Sequence, residues 1–353
     1  MRRASKVEGG NAHMRLLILG AGGFIGSNLV TYLDASERAD YEMVGVDISD
    51  EKLPKDLRNF TFLHKDFLDP AVLAEVGKAD VVVDLVAYAN PSVYVESPLE
   101  TFQLNFLQNL KIVELCVEHG KKIIQYSTCE VYGRPSGDSY KEDESELIVG
   151  PVDKQRWIYS CGKQLLERVI HAYGLENKLD YGIIRPFNFI GPRFDYLVPA
   201  GNIGGPRVFA QFMSALLTGG PMYLVNGGEQ RRSFTHIDDA SAGFEAILHD
   251  PRANKQVFNI GNPENDISIR EMAMLMQEVY AELTGTVVLT DLIDIDGEKF
   301  YGPGYEDHTR VPADIAKLGA LGWAPTRGLK ETLRSVMGWY LQNKEEMMAT
   351  IEA

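Results

Sequence analysis

Cysteine is scarce: Cys116, Cys129 and Cys161 are the only three in a chain of 353 residues. An odd number in so long a chain excludes a disulfide framework, and their spacing forms no CxxC or Cys/His cluster, so no metal site is expected. So few thiols fit a reducing, cytoplasmic setting. Long apolar runs are missing as well. No stretch of about 18 uncharged apolar residues occurs, which excludes a spanning helix. Positive charge is in short supply: Lys and Arg number 35 against 50 Asp and Glu, a net charge of −15. That balance argues against nucleic acid or a membrane surface as the main partner, while a few local arginines could still hold a small anion. No apolar segment follows Met1-Arg2-Arg3 before Asn11, so the start does not read as a secretory signal. Residues 1–13 read as a flexible leader.

What is present is ordinary globular composition, 45% apolar and 24% charged. Such a chain buries a sizeable core unaided, and its length suggests about two domains or one large α/β unit with an added lobe. The apolar run Arg15–Leu19 ends at Gly20, and a helical pattern follows from about Gly23 to Leu33. Strand-like runs recur at Tyr41–Val46, Val81–Val86, Lys122–Ser127 and Tyr181–Ile184, with helical periods at Phe102–His119 and Ile158–Tyr173. Alternation with short connections predicts a doubly wound parallel α/β sheet. After Pro186 the texture changes. Residues 191–206 are rich in Gly, Pro and Asn, and Gly297–Pro312 reads as a late loop. Glu142–Glu146 reads as a solvated acidic loop.

Gly20, Gly23 and Gly26 lie between the first strand and the first helix. Glycine there permits the tight turn and lets the backbone approach a pyrophosphate at a helix N-terminus. Asp47 ends the second strand, 21 residues after Gly26. A carboxylate there accepts both ribose hydroxyls and repels a 2′-phosphate, so the expected cofactor is NAD. Asp66 is placed to meet the adenine amino group, or to cap its own turn. Tyr159 and Lys163 stand four apart on one helix face, where an ammonium favours the phenolate and the pair can take a proton from an alcohol. Thr128 closes a strand upstream of them, at the sheet edge where reacting groups sit.

Taken together, GxxGxxG, a strand-end Asp, a strand-end Thr and YxxxK resemble the extended short-chain dehydrogenase/reductase family, the NAD-dependent epimerases and dehydratases of nucleotide sugars. The resemblance covers nearly all of the chain after residue 14. Dehydratases of that family show Thr-Asp-Glu at the strand end, whereas this chain has Thr128-Cys129-Glu130. That pattern, with Gly150–Trp157, Arg185–Arg193 and Phe300–Asp307, is similar to UDP-glucuronic acid decarboxylases, including the decarboxylase domain of the bifunctional lipid A aminoarabinose enzyme, and to UDP-apiose/UDP-xylose synthases. It implies a Rossmann-type NAD domain over 14–185 with segments returning at about 231–262, and a smaller C-terminal nucleotide-sugar lobe from 186–230 and 263–345.

The resemblance also implies roles. Thr128, Tyr159 and Lys163 would oxidise C4 of the sugar, Glu130 would act as acid/base, and Arg310 would bind the carboxylate or help protonate the enolate. Phe24, Ile25, Leu85, Ala87 and Asn105 would join the cofactor contacts. Ala89, Tyr94, Arg156, Asn188, Arg207, Tyr223, Arg231 and Tyr305 would contact a UDP-sugar, with residues 222–231 along the uridine. Met222 stands where related decarboxylases have Lys. Cys129 is either a small stand-in for Ser or a catalytic thiol, as in apiose synthases; those enzymes carry a second Cys where this chain has Ala89. Cys161 reads as packing. Members of the family commonly form homodimers. Decarboxylation of UDP-glucuronic acid is the expected activity, with apiose synthesis, 4-epimerisation of an acidic nucleotide sugar and a non-catalytic dinucleotide sensor as alternatives.

Overall fold

The structure is a computed structural model that describes residues 13–134, 136–194, 207–288, 290–306, 310–345 and 347. The short apolar runs become strands His13–Leu19 (β1), Asp40–Asp47 (β2), Phe60–His64 (β3), Val81–Asp84 (β4), Lys122–Tyr126 (β5), Tyr181–Pro186 (β6) and Gln256–Ile260 (β7). They form one sheet in the order β7-β6-β5-β4-β1-β2-β3, every neighbouring pair parallel. Runs such as Val81-Val82-Val83 lack alternation because both faces are covered. On one face Leu16, Ile18, Val81, Val83 and Ile124 pack with helices Phe24–Ala35 and Ile237–His249. On the other, Leu17, Leu19, Val82 and Ile123 pack with helices Asn109–His119 and Trp157–Leu175.

Beyond β6 the chain forms two-stranded ribbons. Met222–Val225 pairs with Leu292–Ile295 in parallel, and Arg231–Ser233 pairs with Asp266–Ser268 in antiparallel fashion. Helix Ile269–Thr284 follows, opened by a capping box in which Ser268 and Glu271 satisfy each other's backbone N–H groups at 3.1 and 2.9 Å. Helices Val208–Thr218 and Leu329–Gln342 complete this half. Among the described residues no helix is long and apolar enough to cross a membrane.

Four expectations need adjusting. The strand expected over Val81–Val86 stops at Asp84, because the Asp84 carboxylate accepts the Val86 N–H at 3.0 Å and turns the chain out of the ladder. The single helix expected over Phe102–His119 is interrupted by a π-helical turn at Gln103–Gln108. There Asn109 donates to Val86 O at 3.1 Å and to Leu104 O at 3.0 Å, side-chain contacts that hold the widened turn. The late loop Gly297–Pro312 opens as a helical turn, Gly297–Tyr301, capped by Asp296 through Lys299 N at 3.0 Å. Glu142 is not simply solvated: its carboxylate accepts the Asn259 N–H at 2.8 Å. Leader residues 1–12, loop residues 195–206 and Asp307 lie outside the described residues.

Candidate active site

The carboxyl ends of β1, β4, β5 and β6 open into a cavity of about 290 Å³, closed on its far side by side chains from the ribbons and from the 300–310 segment. In a parallel sheet this edge is where ligands collect, since every strand delivers its C-terminal residue there.

The glycine turn comes first. Gly20 has φ +83°, the left-handed region that favours glycine. A Cβ on Gly22 would lie 1.9 Å from Ser49 O, and one on Gly26 would lie 2.2 Å from Gly20 O. The turn is therefore packed on its protein side, while its outer side stays low enough for a ligand backbone to approach. Gly23 N-caps helix Phe24–Ala35 without any side-chain cap, so the first-turn N–H groups have neither an intrahelical acceptor nor a capping side chain. Asp47 accepts N–H bonds from Gly22 at 3.0 Å and Ile48 at 2.7 Å, which fixes its carboxylate beside the turn. An uncapped, positive helix end beside a fixed carboxylate fits a dinucleotide's pyrophosphate and ribose. Phe24, Ile25, Leu85 and Ala87 line the cavity next to it.

Tyr159 projects from helix Trp157–Leu175 and is 5% exposed. Its ring stacks on Tyr94 with centroids 4.4 Å apart and planes 9° apart. Burial pushes its phenol well above the usual value, with hydrogen bonds to Thr128 and Tyr94 pulling the other way. The Lys163 ammonium, one turn on and 1% exposed, donates to Tyr126 O at 3.0 Å. Burial, rather than the expected relief by Lys163, thus dominates at the Tyr159 phenol, and the ammonium is engaged with a strand-end carbonyl.

Thr128 caps the short helical turn Cys129–Tyr132, accepting the Glu130 N–H at 3.1 Å. That cap aims Glu130 into the cavity. Arg156 donates to its Oε2 at 2.9 Å, and Arg310 donates to its Oε1. Arg310 also donates to Cys129 Sγ at 3.4 Å. Burial raises the Cys129 thiol above its usual value, while the Arg310 charge lowers it. The Arg156 guanidinium lies over the Tyr305 ring at 5.6 Å. Arg156, expected to fork onto a ligand carboxylate or phosphate, here holds a carboxylate of the protein itself.

Most expected substrate residues meet at this cavity: Ala89, Tyr94, Asn188, Arg207, Tyr223 and Tyr305 all line it. Asn188 has φ +41° and donates to Ser233 O at 3.0 Å. Arg207 lies 3.7 Å from the Phe194 ring centroid. Two expectations fail. Arg231 points away, ion-paired with Asp266 at 2.6 Å and Glu271 at 3.3 Å. Its neighbour Arg232 faces the cavity instead, since successive strand residues point to opposite faces. The Asn105 amide clamps the Tyr88 backbone, its oxygen accepting the N–H at 2.9 Å and its nitrogen donating to the C=O at 3.1 Å, which fixes the loop that carries Ala87 and Ala89. Cys161 is exposed rather than packed, because two residues from Tyr159 on a helix is nearly the opposite face. Asp66 is exposed and forms the turn contact, accepting the Leu68 N–H at 2.8 Å. Gln230, from the 222–231 stretch expected along the uridine, is also on the cavity wall.

Comparison with known proteins agrees with this layout. Residues 16–261 match the NAD dependent epimerase/dehydratase family. The UDP-D-apiose/UDP-D-xylose synthase of Oryza sativa subsp. japonica is 37% identical, over 95% of this chain and 91% of that protein. UDP-D-apiose/UDP-D-xylose synthase 2 of Arabidopsis thaliana is 36% identical, over 92% and 90%. The crystal structure of the PbgP3 protein from Burkholderia pseudomallei superposes with a TM-score of 0.84 at 35% identity, covering 96% of this chain and 99% of that one. With a glycine turn, a strand-end Asp and a YxxxK helix at one sheet edge, the chain belongs to the NAD dependent epimerase/dehydratase family.

Proposed function

We propose that the protein decarboxylates UDP-glucuronic acid after oxidising its C4. The observation that carries this reading is Glu130 held between Arg156 and Arg310 beside Thr128. A plain alcohol oxidation needs no such carboxylate–guanidinium cluster; a reaction that loses a carboxylate and reprotonates carbon does. The 36–37% identity to the apiose/xylose synthases supports the same class of chemistry.

In this reading Gly20, Gly23, Phe24, Ile25, Gly26, Asp47, Asp66, Leu85 and Ala87 hold NAD, which when bound accepts the hydride from C4. Thr128 Oγ1 orients the C4 hydroxyl and Tyr159 Oη takes its proton. The resulting ketone is β to the C6 carboxylate, so the C5–C6 bond breaks, CO₂ leaves, and the bond's electron pair forms an enolate across C4 and C5. Arg310 steadies that charge, and C5 takes a proton drawn from solvent through Glu130, whose carboxylate is restored in the same step. Asn188, Arg207 and Arg232 hold the diphosphate and nucleotide, with Tyr223 and Tyr305 against the sugar nucleotide. The product would be UDP-4-keto-pentose or UDP-xylose. A division into an NAD domain and a sugar lobe at residue 186, a homodimer and a cytoplasmic setting belong to the same proposal.

A second reading, apiose formation, is favoured by the Arg310–Cys129 contact inside the cavity. Ala89 on the same wall offers no second thiol. The test is C6-labelled UDP-[¹³C]glucuronate with NAD. Labelled CO₂ is expected; interconversion to a 4-epimer without it, or no turnover, overturns the proposal. NMR of the products separates a pentopyranose from apiose.

A further inference from the structure

Asp84 is the last residue of β4, fully buried, and the mechanism above gives it no task. Its Oδ1 accepts the Val86 N–H at 3.0 Å, while Oδ2 has no hydrogen-bond partner. A buried carboxylate oxygen without a partner is costly unless a charge stands near it. Alternation along β4 shows where it points. Val81 and Val83 pack on one face, Val82 on the other, so Asp84 shares the face of Val82. That face is covered by helix Trp157–Leu175, which contributes Leu166 and Ile170 to the same layer. Lys163 stands three residues before Leu166 and seven before Ile170, on the same helix face. Its ammonium ends at Tyr126 O on β5, one residue beyond Gln125, the register partner of Asp84. Two buried groups of opposite charge thus lie in one layer without a direct hydrogen bond, behind the strand end that carries Thr128.

We propose that Asp84 is the positioning residue for Lys163: its carboxylate is the internal counter-ion that keeps the ammonium charged and aimed at the rear of the Tyr159 site. The proposal rests on the reading of Tyr159 and Lys163 as the proton-transfer pair. The other groups around Asp84 are accounted for. Cys116 comes from helix Asn109–His119, and burial with the Asp84 charge pushes its thiol up to about 12. Glu167, the next acid toward Lys163, is engaged by Arg185 at 3.0 and 2.6 Å. On the flanking strands Gln125 and Leu19 do not titrate, and Tyr126 carries a phenol that burial raises. Burial lowers Lys163, with Asp84 the stronger of the two acids raising it. Burial lifts Asp84 itself to about 6, with Lys163 opposing.

The test reads Lys163 directly and needs no substrate. In protein labelled with ¹³C at lysine Cε, the Lys163 resonance is identified by its loss in Lys163→Met and followed with pH. Asp84→Asn should lower its midpoint by at least one pH unit, a tenfold change in proton affinity, and Asp84→Glu should restore most of that shift. An unchanged midpoint in a folded Asp84→Asn protein overturns the proposal. The unsubstituted protein gives an independent reading: the Lys163 resonance should show a second inflection where Asp84 protonates, and its absence also overturns it. Where turnover is measurable, the alkaline limb of the Asp84→Asn rate profile should move to lower pH. Failure of the proposed reaction leaves the resonance measurements standing, so the two outcomes are separable.

Discussion

At the scale of single residues, the reactive groups divide by what each can lose. Tyr159→Phe removes the phenol that the proposed oxidation uses as its base, and neither reduced cofactor nor CO₂ should form in a stopped assay. Glu130→Gln keeps the shape between Arg156 and Arg310 but cannot relay a proton, so turnover should fall by roughly 10²–10⁴-fold with binding retained. The neighbouring arginines make a sharper comparison. Arg232→Ala should raise KM for the nucleotide sugar at least tenfold, whereas Arg231→Ala should leave it within about twofold, because an exposed ion pair contributes little. Sequence reading named the strand-end Thr128-Cys129-Glu130 and the Tyr159–Lys163 pair because their chemistry is carried by short spacings. It named Arg231, which the structure turns away from the cavity, because facing is decided by the pairing of Arg231–Ser233 with Asp266–Ser268, a register set 35 residues away. Arg310 meets Cys129 across 181 residues, a contact that family resemblance rather than spacing had to supply.

At the scale of elements, helix Trp157–Leu175 presents the face that carries Tyr159 and Lys163 to the sheet, and a buried ion pair fastens it. Glu167 and Arg185 join it to β6, with side chains only 7% and 5% exposed. Removing one partner leaves the other charge buried and unpaired. Glu167→Gln should therefore lower unfolding stability by about 3–5 kcal/mol in a denaturant titration. A loss under about 1 kcal/mol would mean that water replaces the pair. The long helix itself was legible from its apolar period. The π-helical turn at Gln103–Gln108 was not, since it is held by Asn109 reaching Val86 and Leu104, contacts that no local propensity encodes.

At the scale of the whole molecule, the parallel sheet sends every strand toward one rim, and the sequence declared this through short apolar runs alternating with helical periods. The C-terminal half was harder to read, since its ribbons are only two to four residues long and pair far apart in sequence. One rim serving both cofactor and sugar makes cofactor binding a global stabiliser. NAD at about 100 times its Kd should add about 2.7 kcal/mol to folding stability, read as a rise in Tm. NADP should need at least tenfold more ligand for the same rise, because the fixed Asp47 carboxylate meets its 2′-phosphate. Equal shifts from both dinucleotides would remove Asp47 from the selectivity argument.

The resting cluster around Glu130 has a consequence for which sugars enter. Two guanidinium groups grip the Glu130 carboxylate. A uronic acid brings an identical functional group, so docking can proceed as anion metathesis, one carboxylate replacing another on Arg310 with the cationic coordination conserved throughout. A neutral hexose has nothing to exchange and must leave the internal pair intact. UDP-glucose should accordingly bind at least tenfold more weakly than UDP-glucuronate in calorimetry, and that gap should close in Arg310→Ala.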